Sequence, residues 1–337
     1  MEKLKVAVIG AGSIAQIVHI PLLKKLENVE LVAICDVDQA KVSFLTQKFK
    51  IPRWYYLIDD MISNEKLDAI HICTPSLYHY PMAYLALSNG VNVFVEKPVA
   101  LNHRDALKLS KLAEERKLTL MVGMHNRFRD DVKILKDFLN NSELGDIFYI
   151  KTGWLKKWTR NTLPGWHVKK SFAGGGVLID IGIQLIDLAM FLLDLPKIKK
   201  VRLFDYRLNT EINVEDAALA VIEAESGISI TIEVSWRMHL ERDTIYTHIF
   251  GKQGSAYLNP LRINKELHGN LVNVTPMLVE QNIDQFKKAY ENELMHFVDV
   301  VHGDAKNMSS AGDAAYVMQI LDALYESAKT GAEISLD

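Results

Sequence analysis

Six residues near the start of the chain carry the clearest chemistry. Gly10-Ala11-Gly12-Ser13-Ile14-Ala15 follows a β-branched run directly and opens a helical pattern. Gly10 permits a tight turn, Gly12 leaves room for a pyrophosphate, and Ala15 lets helix and strand pack closely. The N-terminus of such a helix offers unpaired N–H groups and a partial positive charge to phosphates. Gly10, Gly12, Ser13 and Ile14 are therefore the expected contacts of a dinucleotide. Asp36 ends the next extended run, Ile34-Cys35-Asp36, where an acid accepts both ribose hydroxyls of an adenosine. The same carboxylate repels a 2′-phosphate, and the nearest following cation is Lys41, so NAD is expected over NADP. Asp36 also stands where it can cap a helix beginning near residue 39, and the two roles are compatible.

A strand–turn–helix unit of this kind belongs in a parallel sheet. Short β-branched runs recur at residues 5–9, 30–35, 69–74, 91–95 and 118–122. Helical patterns at 13–26, 39–49, 80–88 and 104–116 separate them. Such alternation predicts a doubly wound α/β sheet covered on both faces. After Gly123 the rhythm changes. A helix is expected at about 130–140 and an apolar helix at 177–193, after the triplet Gly174-Gly175-Gly176. Extended runs follow at 200–208, 217–225, 228–236, 244–250 and 256–258, without crossover helices between them. These predict an α+β domain with an open, mainly antiparallel sheet. Two helices, near 285–301 and 311–329, close the chain. The expected division is 1–123 for nucleotide binding and 124–337 for substrate binding and oligomerisation.

The chain is 337 residues long, which fits two domains rather than one core. Its formal net charge of −3 gives no general attraction to nucleic acid or anionic membranes. No apolar run reaches the roughly 18 residues of a membrane span, and the start, MEKLKVAVIG, enters a strand without a signal pattern. A cytoplasmic enzyme is expected. The two cysteines, Cys35 and Cys73, lie in apolar runs and read as buried free thiols. No Cys/His spacing suggests a metal.

Further motifs converge on one family. Thr74-Pro75-Ser76-Leu77-Tyr78-His79 and Glu96-Lys97-Pro98 each follow a predicted strand. The second half carries Gly174-Gly175-Gly176-Val177-Leu178-Ile179-Asp180-Ile181-Gly182-Ile183-Gln184-Leu185-Ile186-Asp187. This order resembles the glucose–fructose oxidoreductase / inositol dehydrogenase / MocA (Gfo/Idh/MocA) family from first strand to last helix. The resemblance implies hydride transfer between NAD and a carbinol or carbonyl carbon of a sugar, polyol or derivative. It places Thr74 and Pro75 against the cofactor, with His79 closing that turn; a purely structural histidine is the alternative. It gives Glu96 the nicotinamide-side ribose and points Lys97, aimed by Pro98, at the meeting point of nicotinamide and substrate. A lysine there binds a hydroxyl and stabilises alkoxide charge. It also implies a homo-oligomer, dimer or tetramer, built through the second-domain sheet.

One position departs from the family. Members usually carry Asp and, four residues on, a proton-carrying His; here the pair is Asp180 and Gln184. One helical turn puts both on one face. A glutamine amide holds a hydroxyl but does not exchange a proton near neutral pH. Three ways out remain open at this point. Lys97 carries the proton alone; His167 or His125 substitutes; or the protein binds cofactor and sugar without ordinary turnover. A redox-cycling lyase, epimerase or glycosidase and a catalytically silent NAD sensor are the rival functions. His125 and Asn126, at the end of the 118–122 run, and Trp166 and His167, before the Gly triplet, are further substrate-side candidates. Trp154 and Trp158 suit the apolar face of a sugar or an ordinary core equally well. Asp187 reads as helix-face polarity.

Overall fold

The computed structural model describes residues 3–159, 165–277 and 285–336. The chain forms two compact units, Met1–His125 with Phe286–Ala315, and Asn126–Gln285 with Tyr316–Asp337.

In the first unit six parallel strands form one sheet. They are β1 (Leu4–Ile9), β2 (Val29–Cys35), β3 (Arg53–Tyr55), β4 (Ala69–Ile72), β5 (Asn92–Glu96) and β6 (Leu120–Gly123). Their order is β3-β2-β1-β4-β5-β6. β1, β4 and β5 are almost wholly buried, as expected of parallel strands covered on both faces. The sequence runs anticipated five of these strands. β3 escaped because three residues at a sheet edge carry no usable pattern. The order reverses between β1 and β4, and the crevice at their carboxyl ends is where open α/β sheets bind ligands. The helix after the Gly loop is not the uniform α-helix the sequence suggested. Residues Ala15–His19 form a π turn, in which Ile20 N–H bonds to Ala15 O, and Ile20–Leu23 continue as α-helix. Pro21 has no N–H and its ring crowds the carbonyl four residues back, so the wider turn relieves the clash.

A single cut after residue 123 assigns residues 286–315 to the second domain, whereas the structure puts them in the first unit. The reason is packing that local sequence does not announce. Phe297, on the helix Gln285–His302, meets Phe94 at 5.5 Å and His71 at 5.1 Å between ring centroids. Ser309 then pairs with the β6 edge: Val122 N–H donates to Ser309 O at 3.0 Å, and Ser309 Oγ donates to Val122 O at 2.6 Å.

The second unit is built on a nine-stranded sheet. Its strands are β7 (Ile147–Lys157), β8 (Ile198–Tyr206), β9 (Ala217–Ala224), β10 (Ser229–Met238), β11 (Thr244–Gly251), β12 (Gly254–Leu258), β13 (Arg262–Leu267), β14 (Asn270–Asn273) and β15 (Ile334–Ser335). The order is β14-β13-β12-β11-β7-β10-β9-β8-β15. Only β7 and β10 pair in parallel; the other pairs are antiparallel. Burial alternates along the strands. Ile150 and Thr152 of β7 and Thr247 and Ile249 of β11 face the core. Tyr149, Lys151, Tyr246, His248 and Phe250 occupy the opposite face. The stretch Lys170–Leu192 is long and apolar enough to cross a membrane, contrary to the expectation from the sequence. Of its most apolar window, 89% is buried inside the protein, so it serves as the core helix under this sheet.

Candidate functional site

The glycine loop is shaped by close backbone approach. Gly10 has φ +94°, and a Cβ there would lie 2.7 Å from the carbonyl carbon and oxygen of Cys73. Its N–H donates to Cys35 O at 2.8 Å. Gly12 is different: a Cβ would meet nothing nearer than Cys73 O at 3.9 Å. Gly12 and Ser13 are exposed at the helix start. Glycine at 12 is thus not demanded by the protein's own packing, while the open space suits a phosphate. Asp36 anchors this loop, its Oδ2 accepting Ala11 N–H at 2.6 Å and its Oδ1 accepting Asp38 N–H at 2.8 Å. Asp38, not Asp36, is the cap of the helix Gln39–Phe49 and accepts Lys41 N–H at 3.1 Å. Asp36 is therefore released from capping and sits half-buried beside the loop. These residues fit a dinucleotide.

Two turns flank that loop at the ends of β4 and β5. Thr74 and Pro75 are half-buried, and Thr74 Oγ1 lies 3.8 Å from Met82 Sδ. His79 is buried, with Nδ1 2.6 Å from Pro98 O and Nε2 2.8 Å from Thr74 O. Both ring nitrogens face backbone carbonyls, and the single N–H of the neutral ring donates to one of them, so His79 packs between the Thr74 turn and the Glu96-Lys97-Pro98 turn. Burial holds its pKa below the ordinary histidine value, against the pull of the two carbonyls. The Lys97–Pro98 bond is cis, and Lys97 is half-buried.

Sequence reasoning missed the residues behind Glu96. His19 Nε2 lies 2.9 Å from Glu96 Oε1, and His19 Nδ1 lies 3.2 Å from His71 Nδ1. Burial pushes the Glu96 carboxyl up, but the His19 hydrogen bond and the charges of His19, Lys97 and His125 outweigh it and hold the carboxyl below its usual range. Burial and neighbouring His19 hold His71 well below the usual histidine value. No motif could have found this cluster, because its partners are 52 and 77 residues apart in sequence. His125 lies in the same unit, buried and stacked on Tyr290 with ring centroids 4.5 Å apart. Burial, with Glu96 nearby, pushes the Tyr290 hydroxyl far above the usual tyrosine range.

In the second unit the Gly triplet lets a helix start against Glu215. Glu215 Oε1 accepts Gly176 N–H at 3.0 Å, Leu178 N–H at 3.1 Å and the Tyr325 hydroxyl at 2.8 Å. A Cβ on Gly176 would overlap Glu215 O, and one on Gly175 would overlap the Tyr325 hydroxyl. Asp180 lies in a π turn, Leu178–Gly182, that runs into the helix Ile183–Leu192. Its Oδ2 accepts the Trp236 indole N–H at 2.9 Å. Gln184 is buried; its Nε2 lies 3.5 Å from Asp180 O and its Oε1 has no hydrogen-bond partner among the described residues. Asp187 is more than a polar position on the helix face. It is buried and bonds Arg127 twice, at 2.9 and 2.6 Å, fixing the residue next to Asn126. Trp166 and His167 stack at 3.9 Å and are half-exposed. Trp154 lies under Lys156, and Trp158 under Arg237. Cys35 and Cys73 are buried and free; burial beside Asp36 pushes the Cys35 thiol up to about 12.

A six-stranded parallel sheet of this order, with an open glycine loop and an acid at the end of β2, defines a dinucleotide-binding enzyme domain. The chain belongs to the Gfo/Idh/MocA oxidoreductase family: residues 4–124 match its NAD-binding Rossmann fold and residues 136–336 its C-terminal alpha/beta domain. It is similar to D-glucoside 3-dehydrogenase of Escherichia coli, 29% identical over 99% of this chain and 97% of that one. It is also similar to scyllo-inositol 2-dehydrogenase (NAD(+)) of Bacillus subtilis, 25% identical over 100% and 97%. In fold it resembles GenD2 from gentamicin A biosynthesis, crystallised with NAD, at a TM-score of 0.87 and 24% identity, covering 100% and 97% of the two chains. The protein is an oxidoreductase with an NAD-binding domain.

Proposed function

We propose that this protein is an NAD-dependent dehydrogenase or reductase acting on a carbinol or carbonyl carbon of a sugar, polyol or sugar derivative. The observation that carries the reading is the pairing of an open Gly12 with an Asp36 carboxylate bound to the same loop. The named activities of the relatives supply the substrate class. When bound, NAD supplies the hydride-accepting carbon. The chain's residues do the rest. Gly10, Gly12, Ser13 and Ile14 cradle the pyrophosphate, and Asp36 takes the adenosine ribose, favouring NAD over NADP. Thr74 and Pro75 line the cofactor, with His79 acting through their turn. Glu96 takes the nicotinamide-side ribose.

Lys97 binds the reacting oxygen and moves its proton, since Gln184 cannot. The second unit supplies Asp180, already oriented by Trp236, and Gln184, whose buried Oε1 awaits a donor such as a substrate hydroxyl. His125, Asn126, Trp166 and His167 are assigned to further substrate contacts. The first unit serves the nucleotide; the second serves substrate and self-association. The protein works as a cytoplasmic homo-oligomer, with the aromatic open face of the nine-stranded sheet as its interface. The test is absorbance at 340 nm with NAD or NADP and a panel of sugars and polyols. Net NADH formation with NAD preferred is expected. Turnover without net NADH, or cofactor binding without turnover on any member of the panel, contradicts the proposal.

A further inference from the structure

Glu96 is braced from behind by two imidazoles that lie on different elements. His19 ends the π turn that follows the Gly loop, and His71 sits on β4. Both are wholly buried. The chemistry of the contacts fixes the proton that faces Glu96. A carboxylate only accepts, so His19 Nε2 carries a hydrogen and donates it to Glu96 Oε1. Two facing Nδ1 atoms need one donor and one acceptor, so one of the two rings donates from Nδ1 to the other, and either direction leaves the His19 Nε2–H on Glu96.

The line then stops. His71 Nε2 is buried without a hydrogen-bond partner among the described residues. The ring lies in an aromatic pocket, stacked on Phe94 at 4.9 Å and edge-on to Phe297 at 5.1 Å. A proton delivered to His71 has nowhere to go, so the arrangement is a brace rather than a conduit. Its mechanical effect is specific: the helix that presents Gly12 and Ser13 is tied to the carboxylate at the end of β5.

We propose that His19 is a positioning residue for the cofactor: it fixes the Glu96 carboxylate for the nicotinamide-side ribose and couples that contact to the glycine loop, while His71 holds the far side of the His19 ring. The inference rests on the assignment of Glu96 to the ribose made above.

The first test needs no substitution. Nitrogen-15 NMR of the cofactor-free protein is expected to find His19 protonated on Nε2, whatever the state of Nδ1. The opposite tautomer overturns the proposal, because it cannot donate to Glu96. The second test is calorimetric titration with NAD. His19→Gln keeps a donor near the position of Nε2, and His19→Asn keeps one only near Nδ1. With near-UV circular dichroism confirming the fold of each, His19→Gln is expected within about threefold of the parent. His19→Asn is expected to bind roughly 10- to 100-fold more weakly, the range for losing a hydrogen bond to a charged group. Parent-like affinity in His19→Asn overturns the proposal. Glu96→Gln separates the two levels of the argument. If it weakens NAD binding while His19→Asn does not, only the brace fails. If it binds like the parent, the ribose assignment of Glu96 fails, and the role of His19 with it. Should His19→Asn not fold, the tautomer measurement still decides.

Discussion

Lys97 is the proposed proton carrier. Its neighbour Glu96 is locked by His19, and His79 packs between the Pro98 turn after it and the Thr74 turn. The proposed carrier thus stands on a turn fixed on both sides, which is what general acid–base catalysis requires of geometry. Lys97→Met is expected to lower kcat by about 10²–10⁴-fold while leaving NAD affinity, measured by titration, within a few-fold of the parent. Normal turnover in Lys97→Met together with a dead His167→Ala would make His167 the carrier instead. His71 gives a pH prediction of its own. Its folded pKa lies well below 6.5, so the unfolded chain takes up a proton that the native state refuses. Its stabilising contribution is therefore present above pH 6.5 and lost as pH falls, by at most ~1.4 kcal/mol per pH unit. Thermal unfolding should occur at progressively lower temperature between pH 7 and pH 5. His71→Asn, which keeps a donor for His19 but cannot titrate, should show the shallower decline. An unchanged slope would remove His71 as a source of acid sensitivity.

At the scale of elements, the two loop glycines serve different masters. Gly10 is required by the fold, through its positive φ and the backbone of Cys73. Gly12 is proposed to serve the ligand, since a Cβ there would meet nothing nearer than Cys73 O at 3.9 Å. Gly10→Ala should therefore lower the melting temperature strongly, at a cost on the order of 1–3 kcal/mol or more for strain and overlap. Gly12→Val should melt like the parent yet lose NAD binding in a calorimetric titration. A Gly12→Val protein that binds NAD normally would sink the loop assignment. This pair also shows what a sequence discloses. The strand, turn and helix around Gly10 and Gly12 were legible because they follow one another directly in sequence, and the position of Asp36 because it closes the next extended run. The returning segment 286–315 and the His19–His71–Glu96 brace were not legible, because packing across long sequence separations leaves no local period. The Arg127–Asp187 pair escaped for the same reason, being 60 residues apart. Asp187 looked like one more polar position on an apolar helix. In the structure, removing either partner would leave a buried charge uncompensated, at a cost of about 3–5 kcal/mol.

Across the whole molecule, the second unit presents a face with a distinct composition. Tyr149 stacks on Phe250 at 5.8 Å, His248 packs edge-on to Tyr257 at 4.7 Å, and Lys151 pairs with Glu233 at 3.1 Å. Aromatic residues with a few paired charges are the composition of the buried centre of an association surface. Sedimentation equilibrium at micromolar concentration is expected to give a dimer or tetramer, and Phe250→Glu is expected to shift it toward monomer. A monomeric parent protein would refute the assignment of this face. The proposed hydride transfer from a sugar or polyol carbon to NAD is tested most directly by isotope transfer. A sugar or polyol found active in the absorbance screen, carrying deuterium on its reacting carbinol carbon, is incubated with NAD and the enzyme. The reduced cofactor is expected to be one mass unit heavier and the product to have lost its deuterium. Product formed while the cofactor stays unreduced, or is reduced without gaining deuterium, would contradict it.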